Sequence, residues 1–262
     1  MAAETLLAQY EAGEFEAVWR GIRSHAKLDD GLRDDVLAVA NATMRRVTQN
    51  ADLLAERLRS RGWRALSAEH CDLRTRPSPT DDAVLVRVVE ISGGPIPPSL
   101  LAFWKVVDGI NWVWDYRTND AVPNLGVDLP MDEMDPLCVD PPGVITYLFE
   151  EWEDAQKDAP GCKLARLLRI DLAPDYLHKA NISGGMPYAI LVPFAGADPV
   201  FTDERHALPF VDYLRLAFKW AGFPGLEDHA ERDDVRRFVT ELGSGSCRFD
   251  EAKSFSARRG YG

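Results

Sequence analysis

The stretch ISGGPIPPSLLAFWKVVDGINW, which begins at residue 91, places a bulky apolar run between a group of glycines and prolines and a further glycine, Gly109. Proline is tolerated in a first helical turn, where its missing N–H would be unpaired in any case. Four apolar residues then recur at helical spacing and form one face: Leu100, Phe103, Trp104 and Val107. The sequence therefore predicts a short helix that ends at Gly109 and packs against a core.

Three strands and a second helix are predicted in the segments around this helix. Residues 83–91, AVLVRVVEI, are short and rich in valine, which predicts a strand. Apolar residues alternate over 164–172 and form a run at 186–194, which predicts two more strands, and a second proline-led helix is predicted over 209–221. Helices and strands do not alternate regularly, and the loops between them are long. This order favours an α+β fold over a doubly wound parallel sheet.

The N-terminal segment carries helical patterns only. Two short amphipathic stretches, 4–12 and 14–25, precede a long predicted helix over 33–61. The apolar residues of that long helix recur at alternating steps of three and four, which keeps them in one narrow stripe. Gly62 stands where a glycine commonly ends a helix. The stripe predicts the packed side of a local helical hairpin.

A polar stretch separates this helical part from the remainder. Residues 67–82 contain two prolines and few apolar side chains, which is typical of a linker or a long loop. The sequence therefore predicts a helical N-terminal extension over 1–66 and an α+β domain over 67–262.

The charge is strongly acidic, with a formal net charge of −12, and much of it is concentrated over 128–158, where ten acidic residues stand against one lysine. Phosphates would be repelled, so we expect no nucleic-acid partner and favour a cationic protein. A solvated surface that keeps the chain soluble is the ordinary alternative. The acidic residues predicted to contact a partner are Asp132, Glu133, Asp135, Glu150, Glu151, Glu153 and Asp154. Trp112 and Trp114 share one side of a predicted strand, and we expect one of them to be an exposed anchor beside these acids.

No part of the sequence resembles a membrane span or a secretory signal. The start, MAAETLLAQYEAGEF, is acidic and holds no continuous apolar segment. Nor does any later stretch approach the roughly 20 apolar residues that a membrane span needs. We therefore expect a cytoplasmic protein that does not bind membranes.

One segment, 173–188, concentrates groups that could bind a ligand or react: His178, Lys179 and Ser183 stand beside two glycines. A hydrolase in which His178 activates Ser183 is conceivable, but the segment lacks the G-x-S-x-G pattern. A small pocket in which backbone N–H groups and Lys179 hold an anion is a second interpretation, and a tight turn is a third. The acids near residue 130 lack an EF-hand pattern, so no metal and no cofactor is predicted.

Several segments resemble the SUKH superfamily, which is named partly for a fungal regulator of cell-wall glucan synthesis. The resemblance covers about residues 83–226 and rests on GGPIPPSLLAFWKVVDGINW after a short strand and on PFVDYLRLAFKWAGFPGL. DPLCVDPP and APDYLHKANISGGMPY also resemble segments of bacterial members, and NATMRRVTQNADLLAERLRSRGW resembles a helical extension that some members carry.

The resemblance implies a mixed, largely antiparallel sheet flanked by helices, behind an N-terminal helical region. It also implies a non-enzymatic binding protein, since many bacterial members are regarded as immunity proteins that bind and silence toxins, often nucleases. The acidic charge is compatible with a cationic nuclease partner. Two alternatives stay open at this point: a small-molecule sensor or hydrolase that uses 173–188, and a regulator of cell-wall synthesis.

Overall fold

The computed structural model describes residues 5–66, 73–118, 123–160 and 167–246. Helices flank two small antiparallel sheets, so the predicted α+β class is confirmed. The helices are α1 (Leu6–Glu11), α2 (Phe15–Arg23), α3 (Asp30–Ser60), α4 (Asp81–Ser92), α5 (Pro98–Val106), α6 (Met131–Met134), α7 (Tyr147–Asp158), α8 (Tyr176–Lys179), α9 (Phe210–Lys219) and α10 (Asp233–Gly243). The strands are β1 (Ile110–Asn111), β2 (Cys138–Val139), β3 (Leu168–Ala173) and β4 (Tyr188–Val192).

The long helix α3 brings the N-terminal segment into the core. The Asp29 carboxylate accepts a hydrogen bond from the backbone N–H of Leu32 (2.9 Å) and caps the first turn. The predicted apolar stripe is fully buried from Ala40 to Leu58. Gly62 follows with a φ of +84°, which glycine adopts without steric cost. The predicted N-terminal helices are thus confirmed as α1, α2 and α3.

The strand predicted over 83–91 is wrong, because this segment forms helix α4. Leu85, Val88 and Ile91 are its buried apolar residues, and their spacing of three places them on one side of a helix. Two aspartates occupy its first turn, where the helix dipole favours negative charge. Valine favours strands only weakly, so packing of this side against the core outweighs that preference.

The opening helix, α5, forms as predicted but ends earlier. Pro98 is its first residue, the predicted apolar face is buried, and the helix ends at Val106. Gly109 therefore does not end the helix. A Cβ at this position would lie 2.7 Å from both Pro141 Cδ and Thr75 Oγ1, so the residue must be glycine to let these segments approach.

The two sheets are each two-stranded and antiparallel. Ile110 of β1 lies opposite Val139 of β2, and Leu168 of β3 lies opposite Val192 of β4. The predicted antiparallel pairing is confirmed, whereas the described residues do not form the single mixed sheet that the family resemblance implied. One reason is that the segment predicted as the first strand is helix α4, which supplies no sheet hydrogen bonds.

The second proline-led helix is confirmed as α9, which follows Pro209. Gly222 follows this helix with a φ of +91°. A Cβ here would lie 1.7 Å from Cζ3 of Trp112, so only glycine lets the tryptophan ring lie against this turn.

A single cluster of buried apolar residues extends from Tyr10 in α1 to Leu242 in α10. Ion pairs join the same parts of the chain, because Arg23 of α2 lies 2.8 Å from Asp198 and 2.7 Å from Asp212 of α9. The N-terminal helices therefore share one core with the elements that follow.

The predicted division into 1–66 and 67–262 stays a prediction, and residues 67–72 lie outside the described ranges. What the structure adds is that α3, from the first part, packs along α5, from the second. The two parts are thus in contact through an extensive helix–helix interface.

Candidate functional site

An open cleft of about 650 Å³ lies between the start of α7, the end of β3 and the turn that follows α8. Its size is within the range of about 300–1,000 Å³ that is usual for small-molecule sites. Part of its wall is apolar, including Leu66, Val113 and Ile182. The ionisable, hydroxyl and aromatic side chains that line it are Tyr116, Asp140, Tyr147, Asp171, His178 and Ser183.

Asp140 lines this cleft directly after β2, and hydrogen bonds on both sides hold its backbone. Its backbone N–H donates to the carbonyl of Leu172 (2.7 Å), and its own carbonyl accepts from Trp104 Nε1 (3.1 Å). Burial raises the pKa of its carboxyl group to about 7, although Lys179 opposes the shift. Within the described ranges, its carboxylate has no hydrogen-bond or ion-pair partner.

A second carboxylate, Asp171 of β3, lines the cleft and is already paired, since Arg169 Nε lies 2.8 Å from its Oδ1. Burial raises its pKa, and Arg169 acts against that rise. Tyr147 begins α7, and its pKa is raised by burial and then by the charges of Asp171, Asp140 and Glu151. The cleft and the first turn of α7 therefore share one region of negative potential.

His178 is held by Asp175, the residue that caps α8. The Asp175 carboxylate accepts from the backbone N–H groups of Leu177 and His178, and its Oδ2 lies 2.9 Å from His178 Nδ1. Burial opposes ionisation of Asp175, yet the hydrogen bonds from His178 and Leu177 outweigh it and lower the pKa. Gly184 completes the arrangement, because a Cβ there would lie 2.4 Å from Asp175 Oδ1.

The hydrolase interpretation requires a serine–histidine pair, and the geometry does not supply one. Ser183 and His178 both line the cleft, and Ser183 is exposed. His178 Nε2 lies 3.5 Å from the backbone N of Gly184, and in the described part of the chain no hydrogen bond joins His178 to Ser183. His178 is therefore placed to order the turn after α8.

Lys179 and Asp135 form a buried ion pair, which corrects two predictions. Lys179 Nζ lies 2.6 Å from Asp135 Oδ1, and both residues are 1% exposed. The Tyr188 ring lies 4.7 Å from the ammonium group, and its hydroxyl donates to Asp135 Oδ2 (3.4 Å). Each charge would be costly to bury alone, so the pair ties α8 to the end of α6. Lys179 is thus not available to a ligand, and Asp135 is not available to a partner.

The expectation that Trp112 or Trp114 is exposed is also wrong, since both are buried. Trp112 packs edge-to-face against Phe218 at a centroid distance of 6.2 Å, beside the turn at Gly222. Trp114 packs in the same way on Trp63 at 5.2 Å. Aromatic pairs in this arrangement stabilise a core, which explains why neither ring reaches the surface.

The remaining predicted contact residues lie at the surface. Glu150, Glu151, Glu153 and Asp154 project from α7, and we call these four residues the α7 acidic face. Glu153 pairs with Arg87, and Asp154 pairs with Lys157 at 2.8 Å. Glu150 and Glu151 are exposed, and no ion pair is present for either among the described residues.

The other two acids, Asp132 and Glu133, lie on α6 and are partly or fully exposed. Glu133 Oε2 lies 2.9 Å from His229 Nε2, so part of its charge is already engaged within the chain.

Sequence reasoning missed Asp140, Asp171, Tyr116 and Tyr147 as site residues. Asp171 carried a weak signal, because it interrupts an alternating apolar strand at the outward-facing position. The others could not be found, since the loop after β2, the start of α7 and the end of β3 meet only in the folded chain.

Among the described residues, no group of three or more His, Cys, Asp or Glu side chains is arranged to hold a metal ion. Every helix in those ranges is too short or too polar to cross a membrane. No protein-family model, no curated protein and no solved structure was found to match this chain.

Proposed function

We propose that this protein is a non-enzymatic binding protein that holds a cationic protein partner against the α7 acidic face and the adjoining cleft. One observation carries the proposal: Tyr147 is the first residue of α7 and also lines the cleft, so the helix that bears the acidic face forms part of the cleft wall. Burial raises the pKa of Tyr147, and the charges of Asp171, Asp140 and Glu151 add to that rise. The two features therefore act as one acidic surface.

Part of the negative charge on this surface has no ion pair among the described residues. Glu150 and Glu151 are exposed without an ion pair among the described residues, and no described residue that lines the cleft is Lys or Arg. Such a field attracts a cationic partner and raises the rate of association, and it repels nucleic acid. The opposite side of α7 packs on the core through Leu148, so the carboxylates stand on a fixed support.

The resemblance to the SUKH superfamily supports the finer proposal of a cytoplasmic immunity protein that silences a toxin, such as a nuclease. The two segments on which the resemblance mainly rests contain helices α5 and α9. The segment before α5 is a helix where the resemblance implied a strand. The support therefore comes from the two helices and from the charge, since a nuclease that binds phosphates carries a cationic surface.

A pair of matched double variants tests the proposal. Glu150→Lys with Glu151→Lys reverses two charges on the α7 acidic face, and Asp34→Lys with Asp35→Lys makes the same change in charge on the exposed side of α3. The probe is the purified domain of a secreted toxin encoded beside this gene, and binding is measured by biolayer interferometry at two salt concentrations.

We expect the α7 variant to bind at least about tenfold more weakly than the wild type, and the α3 variant to bind within about twofold. Co-expression with the toxin gives the cellular counterpart, in which only the α7 variant loses protection. Equal binding by the two variants, or binding that does not weaken with salt, would contradict the proposal.

A further inference from the structure

Among the residues that the structure describes, none donates a hydrogen bond to the carboxylate of Asp140. Asp171 beside it is paired with Arg169, whereas Asp140 has no hydrogen-bond or ion-pair partner in the described ranges. A partly buried carboxylate that makes no hydrogen bond is costly to ionise. Because it faces an open cleft, a bound group that brings both N–H donors and positive charge would remove that cost.

The walls of the cleft are suited to an organic cation with an aliphatic part. Tyr147 is 53% exposed and Tyr116 is 36% exposed, so both rings are accessible to a cation. The face of an aromatic ring attracts a guanidinium or ammonium group electrostatically. Leu66, Val113 and Ile182 supply apolar surface along which a methylene chain can lie.

We propose that this cleft binds a guanidinium or primary ammonium group at the end of an aliphatic stem, with Asp140 as the acceptor and Tyr147 and Tyr116 as the aromatic walls. An arginine or lysine side chain and a free alkylamine share this chemistry. Assignment of the cation to a protein partner rests on the proposed function, whereas binding of the cation itself does not.

The experiment uses isothermal titration calorimetry on the full chain at pH 8, where Asp140 is ionised. The first probe is N-acetyl-arginine amide, and its control is N-acetyl-citrulline amide, which has nearly the same shape and no charge. Agmatine, a free guanidinium alkylamine, is the second probe. Asp140→Asn and Tyr147→Leu change the cleft, and Asp34→Asn removes the same charge from the exposed side of α3.

We expect N-acetyl-arginine amide to bind and the citrulline compound to bind at least about tenfold more weakly. Asp140→Asn weakens binding by at least about tenfold, Tyr147→Leu by a few-fold, and Asp34→Asn by less than about twofold. Tighter binding of the arginine amide than of agmatine identifies a protein side chain as the source, and the reverse order identifies a free amine.

The inference is overturned when no cationic probe binds, when citrulline binds as well as arginine, or when Asp140→Asn binds as the wild type does. These results leave the proposed function intact as long as charge reversal at Glu150 and Glu151 still weakens binding of the toxin domain by at least about tenfold. The converse result is that the charge-reversed variant binds the toxin domain as the wild type does while the arginine probe still binds at the cleft. That result would refute the proposed function and support cation binding at the cleft.

Discussion

Replacement of Asp140 by asparagine is expected to stabilise the fold, and the gain is expected to grow with pH. Burial raises the pKa of this carboxyl group from 3.8 to about 7 in the folded chain. The unfolded chain releases the proton near pH 4, while the folded chain retains it up to about pH 7. The wild type therefore loses stability as the pH rises through this window, and an asparagine, which does not titrate, does not.

The magnitude follows from the width of the window. A shift of one pKa unit corresponds to about 1.4 kcal/mol. From pH 5 to the folded-state pKa of about 7, roughly two units, this carboxyl group is ionised in the unfolded chain and protonated in the folded one. The stability advantage of Asp140→Asn is therefore expected to be about 3 kcal/mol larger at pH 8 than at pH 5. Water in the open cleft screens the charge, which makes this figure the upper end of the expected effect.

Lys179 of α8, Cys138 of β2 and Tyr147 of α7 interact electrostatically with this carboxylate, and Asp171 of β3 lines the same cleft. All four residues are present in the wild type and in the variant alike. The difference between the two proteins, compared between the two pH values, therefore isolates Asp140 to first order.

The assay is urea unfolding followed by tryptophan fluorescence at pH 5 and pH 8, with Asp34→Asn as the exposed control. The control is expected to change stability by the same small amount at both pH values. A gain for Asp140→Asn that is independent of pH, or one that shrinks as the pH rises, would refute the argument that burial of the charge dominates this site.

Two further predictions concern the core, and both are measured by urea unfolding at pH 7. Lys179→Met leaves the Asp135 carboxylate buried without its cation and is expected to cost about 3–5 kcal/mol. Adding Asp135→Asn is expected to recover at least about 1 kcal/mol, and a double variant no more stable than the single one would contradict the pairing. Gly222→Ala places a Cβ 1.7 Å from Trp112 at positive φ and is expected to cost at least about 3 kcal/mol. Gly143→Ala meets no atom within 4 Å and is expected to change stability by less than about 1 kcal/mol, so similar losses at both glycines would refute the packing argument.

Periodicity and helix-end signals of the sequence predicted α1, α2, α3, α5 and α9, because a helical face repeats every three to four residues independently of distant segments. The stripe of α3 and the proline-led starts of α5 and α9 are of this kind. The alternation in β3 is equally local, with Leu168, Ile170 and Leu172 buried as predicted. The α4 segment is the exception, because its valine content favours a strand whereas its buried residues have helical spacing.

Burial and pairing depend on segments far apart in the chain, and sequence reasoning had no access to them. Trp112 is buried because Gly222, which is 110 positions later, leaves room for its ring. Lys179 and Asp135 lie 44 positions apart and neutralise each other inside the core.

The acidic surface, too, was predictable from the sequence only in part. The sequence by itself determined the total charge and its concentration in the segment that holds Glu150, Glu151, Glu153 and Asp154, because composition is a local property. Only the tertiary structure set Asp140 in a cleft where no described residue pairs with it, because the surroundings of a carboxylate depend on which distant segments pack around it.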